Sequence, residues 1–194
     1  MLLYEFEGKQ LFKNCGIQIP LSQLINAPDQ EITLRLLRLR SVQVRSGQAI
    51  NPPLVLKAQV LSGKRAEAGG IIKGGDIKEL LGRVINGEKV ERVLVEEAID
   101  IDKEYYLSFF YSTETRGPVM TFGEGGTGVE EKEAKIYPVD ILKGYLGENV
   151  PQELVDVAKK LWEVFLKYDC ELAEINPLVI TKGSPSTRSA VRLS

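Results

Sequence analysis

One stretch of this chain has a single structural reading. Beginning at Pro151, the residues Leu154, Val157, Ala158, Leu161, Phe165 and Tyr168 recur at intervals of three and four, which lines them up along one side of a helix. Pro151 stands where a first-turn proline is tolerated. An apolar stripe of that kind must cover something, and the chain around it reads as strand. Leu54 to Val60, Val90 to Ala98, Glu104 to Thr113, Val119 to Phe122 and Leu172 to Thr181 are candidate strands, the last interrupted by Asn176-Pro177. Helices mixed with strands in this way make the fold class α+β.

The remaining elements follow from local signals. The opening reads as a short helix with Leu3, Phe6, Leu11, Phe12 and Cys15 on its buried side, stopped by Gly16 in the place of a left-handed cap. Between Asp29 and Arg45, Ile32, Leu36 and Leu39 fit a helical stripe while Val42 and Val44 alternate like a strand; the segment is read as helix, then turn. Leu61 to Gly75 is glycine-rich, Asp76 to Val84 a short helix capped by Asp76, and Asn86-Gly87 a turn. Thr115 to Gly117 reads as a hairpin turn, Gly123 to Gly128 as a second glycine cluster, and the residues from Gly183 as a Ser/Thr/Arg-rich tail.

Composition removes whole reaction classes. The 194 residues contain no histidine and two cysteines, Cys15 and Cys170, so the chain alone builds no Ser-His-Asp triad, Cys-His pair or zinc finger. Any metal would be a hard cation held by oxygen, such as magnesium. A net charge of −2 supplies no long-range field for nucleic acid. Arg35, Arg38, Arg40 and Arg45 are interleaved with leucines rather than aromatics and read as the solvated side of an amphipathic element. No apolar run is long enough to span a membrane, and two distant cysteines read as reduced thiols of a cytoplasmic protein.

Three motifs carry oxygen- or phosphate-directed chemistry. Lys57 lies on an apolar strand and is followed by Ser62-Gly63-Lys64-Arg65-Ala66-Glu67-Ala68-Gly69-Gly70. Together these supply ammonium, guanidinium and backbone N–H donors for phosphate oxygens, although the same residues also fit a surface loop. The strand Val93 to Val95 runs into Glu96 and Glu97, with Asp100, Asp102 and Glu104 beyond; such carboxylates accept from ribose or a base, or keep an edge wet. Glu174 and Asn176 are two apart, hence on one face of an extended chain, which suits magnesium or phosphate and also fits a strand ending in a proline turn.

Taken together, in order, these residues resemble the β subunit of succinyl-CoA synthetase and its relatives, the ADP-forming acyl-CoA synthetases and ATP-citrate lyase. The resemblance rests on Leu3-Tyr4-Glu5 with Gly8-Lys9-Gln10-Leu11-Phe12, Lys57-Ala58-Gln59-Val60, Gly69-Gly70, Leu94-Val95-Glu96-Glu97-Ala98, Asp102-Lys103-Glu104-Tyr105, Glu124-Gly125-Gly126 and Glu174-Ile175-Asn176-Pro177-Leu178-Val179. It implies an ATP-grasp fold, two α/β lobes with the nucleotide between them, divided here as Met1–Lys103 and 104–194. It also implies Lys57 as the phosphate lysine, Gly63, Lys64, Arg65 and Ala66 as the loop over the phosphates, and Glu96 with the backbone near Ile99 as the base-binding strip. By the same resemblance Glu104 would face the ribose, Asn176 would be a magnesium ligand, and Glu174 would be the acid that approaches a phosphohistidine of a partner α subunit. The cofactors so implied are ATP or GTP with magnesium, and the complex binds CoA and succinate.

The chain departs from the family pattern in three places. The loop, which reads Gly-Gly-Arg-Gly-Lys in the family, has Lys64-Arg65-Ala66-Glu67 here, and alanine resists a positive φ. Counted without gaps from Asn176, the expected aspartate ligand is Ala190, in a tail that does not read as an apolar strand. A carboxy-terminal flavodoxin-like CoA-ligase domain is expected beyond these residues. Two other readings stay open: a catalytically silent ATP-grasp binding or assembly module, and the β component of an acetate or malate ligase.

Overall fold

A computed structural model describes residues 2–30, 32–34, 42–44, 50–125, 134–181 and 184–193. The chain forms two compact units, Pro20–Ile99 and Met1–Ile19 with Asp100–Ser194. The boundary near residue 100 lies close to the division expected after Lys103. The opening helix, however, packs with the later residues, because Phe12 and Ile17 enter the core that holds Leu161 and Trp162.

The unit Pro20–Ile99 is built on a four-stranded antiparallel sheet. Its strands are β1 (Ser22–Ile25), β4 (Ile50–Ala58), β5 (Ile71–Gly75) and β8 (Val93–Glu97), in the order β1-β8-β4-β5. Alternation along β4 and β8 turns Leu54, Leu56, Ala58, Val93 and Val95 to one face, where they pack with Ile77, Leu80, Ile85 and Val90. The helix expected over Asp76 to Val84 is one 3-10 turn, Ile77–Glu79. Its cap is as expected, since Asp76 Oδ1 accepts from the Lys78 N–H at 3.0 Å. Gly82, at φ +83°, follows too soon for a second turn. Asn86 and Gly87 both have positive φ between Ile85 and Glu88, a two-residue hairpin turn joining β6 (Val84–Ile85) to β7 (Glu88–Lys89).

The helix expected between Asp29 and Arg45 is corrected. The described parts are two short antiparallel strands, β2 (Ile32–Leu34) and β3 (Val42–Val44); four of their six residues are β-branched, which favours the pleated chain. Arg35, Arg38, Arg40, Arg45, Leu36 and Leu39 lie outside the described residues. So does the part of the second glycine cluster from Gly126 onward. The glycine-rich stretch also ends earlier than expected, since Ile71–Gly75 is strand β5.

The second unit holds a five-stranded antiparallel sheet in the order β11-β10-β9-β12-β13. These are Ile101–Ser112 (β9), Gly117–Glu124 (β10), Lys135–Pro138 (β11), Leu172–Thr181 (β12) and Ser184–Leu193 (β13). The tail read as non-strand is therefore β13, paired along β12. Helix α2 (Val155–Lys167) follows a 3-10 turn at Gln152–Leu154, so Pro151 precedes that turn rather than the α-helix itself. The helix buries Val157, Ala158, Leu161, Trp162, Val164 and Phe165 against Leu107, Phe109, Met120, Ala173, Ile175 and Leu178 of the sheet.

Helix α1 (Glu5–Asn14) ends at Gly16 with φ +75°, as expected. Its buried stripe is Glu5, Gly8, Lys9 and Phe12, whereas Leu3, Phe6, Leu11 and Cys15 are only half-buried. Glu5 and Lys9 are one turn apart and pair at 2.9 Å with both side chains buried. Cys15 and Cys170 are free thiols, and burial beside Asp169 pushes the Cys170 thiol pKa up, lowering its thiolate fraction.

Phe109 is the centre of an aromatic cluster, with ring centroids 5.1 Å from Tyr145 and 5.3 Å from Trp162. Phe109→Ala should cost about 3–5 kcal/mol of stability. Chemical denaturation with fluorescence from the single tryptophan reads this directly, and a loss under about 1 kcal/mol would contradict the packing described.

Candidate functional site

Side chains on the sheet faces opposite the two cores include several buried polar groups. In Pro20–Ile99, Lys57 on β4 stands opposite Leu94 of β8. Glu96, two residues along β8, therefore projects from the same face as a diagonal neighbour. Lys57 Nζ donates to Glu96 Oε1 at 2.5 Å, with the side chains 10% and 5% exposed. Gln59, one further step on that face, is buried and donates to the Lys57 carbonyl at 3.2 Å. Removed from water, ammonium and carboxylate each require the other.

The glycine-rich loop leaves the end of β4 and returns at β5. Arg65 Nη1 donates to the Ala58 carbonyl at 3.2 Å, tying the loop to the strand that carries Lys57. The left-handed position in the loop is Lys64, at φ +57°, with Gly69 at +72°. Ala66 has no positive φ, so the alanine that departs from the family pattern sits where an alanine is tolerated. At Gly70 the main chains come close: its N–H donates to the Arg65 carbonyl at 2.7 Å, and a Cβ would lie 2.9 Å from that oxygen. Ile99 follows β8 and is half-buried.

The loop also has an attachment that the sequence did not suggest. Glu88, on the β6–β7 hairpin, accepts from the Leu61 N–H at 2.9 Å and the Ser62 N–H at 2.7 Å. These bonds, the first above all, hold its carboxyl below the usual glutamate range. A carboxyl lowered in the folded state contributes stability that is complete above its unfolded value and is lost as the pH falls through its folded value.

In the other unit, Glu174 on β12 is flanked in register by Ser108 of β9 and Arg192 of β13. It is buried and accepts from Tyr106 Oη at 3.2 Å. Ser108 and its cross-strand neighbour Thr121 carry buried hydroxyls without a hydrogen-bond partner among the described residues. Asn176, expected on the face of Glu174, is exposed rather than buried. It stands in an irregularity where Asn176 and Pro177 oppose one residue on each neighbour, Tyr106 on β9 and Ala190 on β13. Glu104 on β9 is half-buried, and its carbonyl accepts from the Gly125 N–H at 2.8 Å.

The predicted residues thus fall into two sets. Lys57, Gly63, Lys64, Arg65, Ala66, Glu96 and Ile99 belong to Pro20–Ile99, and Glu104, Glu174 and Asn176 to the other unit. Gln59, Glu88 and Tyr106 were not singled out from sequence. A cavity of about 250 Å³ beside Tyr137, Asp140 and Tyr145 touches none of the predicted positions.

The chain matches the ATP-grasp domain family over residues 2–153. It belongs to the ATP-grasp family. Among similar proteins, the succinate–CoA ligase [ADP-forming] β subunit of Methanocaldococcus jannaschii is 35% identical over 94% of this chain and 54% of its own length. That of Macrococcus caseolyticus is 37% identical over 93% of this chain and 52% of its own length. This ATP-grasp chain therefore spans about half the length of the curated relatives it matches. The fold is also similar to that of an ATP citrate lyase from Methanothrix soehngenii, with a TM-score of 0.68 at 18% identity over 99% of this chain and 50% of that one. A dinucleotide-forming acetyl-coenzyme A synthetase from Ca. Korarchaeum cryptofilum gives 0.64 at 16% identity over 99% and 92%. No helix among the described residues is long and apolar enough to cross a membrane.

Among the described residues, no three His, Cys, Asp or Glu side chains cluster to hold a metal. Asn176 offers one neutral oxygen, and Glu174 already accepts from Tyr106. The described side chains do not make a self-sufficient magnesium site.

Lys57→Ala removes the ammonium paired with a buried Glu96 and should destabilise the fold by about 3–5 kcal/mol, whereas Lys57→Met with Glu96→Leu should come within about 1–2 kcal/mol of the parent. Denaturant titration of the three proteins measures both, and equal losses in the single and double variants would show that the pair is not coupled.

Proposed function

We propose that this chain is the nucleotide-binding component of an ADP-forming acid–CoA ligase of the succinyl-CoA synthetase type, working with a partner subunit that carries a phosphohistidine. The observation that carries the reading is the buried Lys57–Glu96 pair leading directly into a loop with Lys64 in the left-handed region, within an ATP-grasp chain. Lys64 and Arg65 supply positive charge, Lys57 an ammonium whose charge Glu96 balances, and the loop from Gly63 to Ala66 N–H donors, for the triphosphate of ATP or GTP. Glu96 shares its carboxylate between Lys57 and the base-binding strip that ends near Ile99, and Glu104 serves the ribose.

Transfer then needs little covalent chemistry from this chain. The γ-phosphoryl group passes to an imidazole nitrogen of the partner, with ADP leaving. From there it passes to a carboxylate such as succinate, giving an acyl phosphate. The CoA sulfur attacks the acyl carbon, and phosphate departs. A chain without histidine depends on its partner for the relay. Glu174, with Tyr106 bonded to it, would orient the incoming imidazole, and Asn176 would give one oxygen to the nucleotide's magnesium.

A second reading is favoured by one observation. Ala190 occupies the position opposite the Asn176–Pro177 irregularity where the resemblance calls for aspartate, which fits a nucleotide-binding module without turnover.

Calorimetry should show binding of magnesium–ATP to the full chain. Mixed with a phosphohistidine-bearing partner, it should pass the label of γ-labelled ATP to that subunit's histidine. A folded chain that binds neither ATP nor GTP would overturn the nucleotide reading, and binding without transfer would select the silent module. Ala190→Asp should tighten magnesium-dependent ATP binding roughly tenfold, in keeping with the weight of carboxylates at such sites; an unchanged affinity would remove position 190 from the metal's surroundings.

A further inference from the structure

We infer that the β6–β7 hairpin is the device that sets the position of the phosphate loop, with Glu88 as its principal positioning residue and Asn86 as its second. The inference rests on the reading of residues 63–66 as the loop that meets phosphate and extends it to side chains that themselves touch no nucleotide.

The hairpin reaches the loop from both ends. At the loop's start, the two oxygens of Glu88 take the successive N–H groups of Leu61 and Ser62. One residue further, Asn86 Nδ2 donates to the Gly63 carbonyl at 2.8 Å. At the far end, a Cβ on Gly70 would lie 3.1 Å from Ile85 Cδ1, and one on Gly69 would lie 3.7 Å from Arg83 Nη2. Four residues of a six-residue segment, Arg83, Ile85, Asn86 and Glu88, thus bracket the loop.

The bracket itself is held firmly. Ile85 is 1% exposed in the core of its unit. Main-chain bonds from the Gly82 N–H to the Val90 carbonyl and from the Val90 N–H to the Arg83 carbonyl, both 2.8 Å, close its base. Asn86 and Gly87, at φ +49° and +84°, make a turn with little freedom to adjust. A loop that must aim its donors at phosphate oxygens gains from such fixation, because misplacement by about 1 Å is enough to lose catalytic geometry. Charge-assisted bonds from main-chain N–H groups to an ionised carboxylate are the strong kind. The pairing also leaves the carboxylate on the loop's stem rather than at Gly63 to Ala66, so it does not compete with the phosphates.

A positioning role and a general structural role separate by ligand. In calorimetry on the full chain, Glu88→Ala should weaken magnesium–ATP binding roughly tenfold, while AMP, which lacks the β and γ phosphates, stays within about twofold. Glu88→Gln retains one acceptor oxygen but loses the charge and the second acceptor, and should restore only part of the ATP affinity. Asn86→Gly keeps the positive-φ turn, removes only the amide donor, and should cost ATP roughly threefold with AMP unchanged. An equal loss for ATP and AMP, or no loss for either, overturns the inference. Should Glu88→Ala not fold, the ATP-to-AMP ratio of Asn86→Gly decides in the same way. A parent protein that binds neither ATP nor GTP would overturn the phosphate-loop reading itself, whereas a parent that binds a nucleoside triphosphate with variants unchanged would overturn only the role of the hairpin.

Discussion

Side chains alternate along a strand, and in both sheets that alternation separates two kinds of burial. On β4 and β8 it sends Leu54, Leu56, Val93 and Val95 to one side and Lys57, Gln59 and Glu96 to the other. On β9 and β12 it sends Leu107, Phe109, Ala173 and Ile175 toward α2 and leaves Tyr106, Ser108 and Glu174 on the reverse. Each sheet thus stabilises its unit with one face and carries buried polar groups on the other. A slip of one residue in register would exchange the two faces, placing the Lys57–Glu96 pair in hydrocarbon.

The polar faces persist because their charged groups are matched, although the Ser108 and Thr121 hydroxyls have no partner among the described residues. Lys57 and Glu96 neutralise one another, Tyr106 donates to Glu174, and Glu88 takes two N–H groups of the loop. An unmatched group in such surroundings carries a desolvation penalty of about 1–3 kcal/mol, more when charged. This couples the chemistry to stability: a change at Lys57 acts on the fold before it acts on any ligand.

What could be read in the sequence was what local chemistry decides. The helix at Val155–Lys167, the cap at Asp76, the stop at Gly16 and the turn at Asn86-Gly87 depend on neighbours within a few residues. The strands that carry Lys57, Glu96 and Glu174 were legible for the same reason. Where tertiary partners decide, the reading failed. The opening helix buries Glu5 and Lys9 because they pair with each other, a pattern that an apolar stripe does not reveal. Residues 32–34 and 42–44 gain a strand partner that propensity over one segment does not supply. The Ser/Thr/Arg-rich tail becomes a strand because β12 offers it an edge. Glu88 escaped notice since it contacts main-chain groups, which leave no trace in residue identity.

The doubled position on β12 has a consequence of its own. Ala173 and Ile175 face α2, and so does Leu178, three positions after Ile175 rather than two. The irregularity at Asn176–Pro177 is the phase slip that reconciles them. A strand shorter by one residue would keep the same aliphatic side chains inward with an unbroken ladder, so hydrophobic packing supplies no reason for the surplus residue. What the surplus does is lift the exposed Asn176 amide clear of the pleat, inside a strand paired on both sides, where a regular ribbon would have kept it flat.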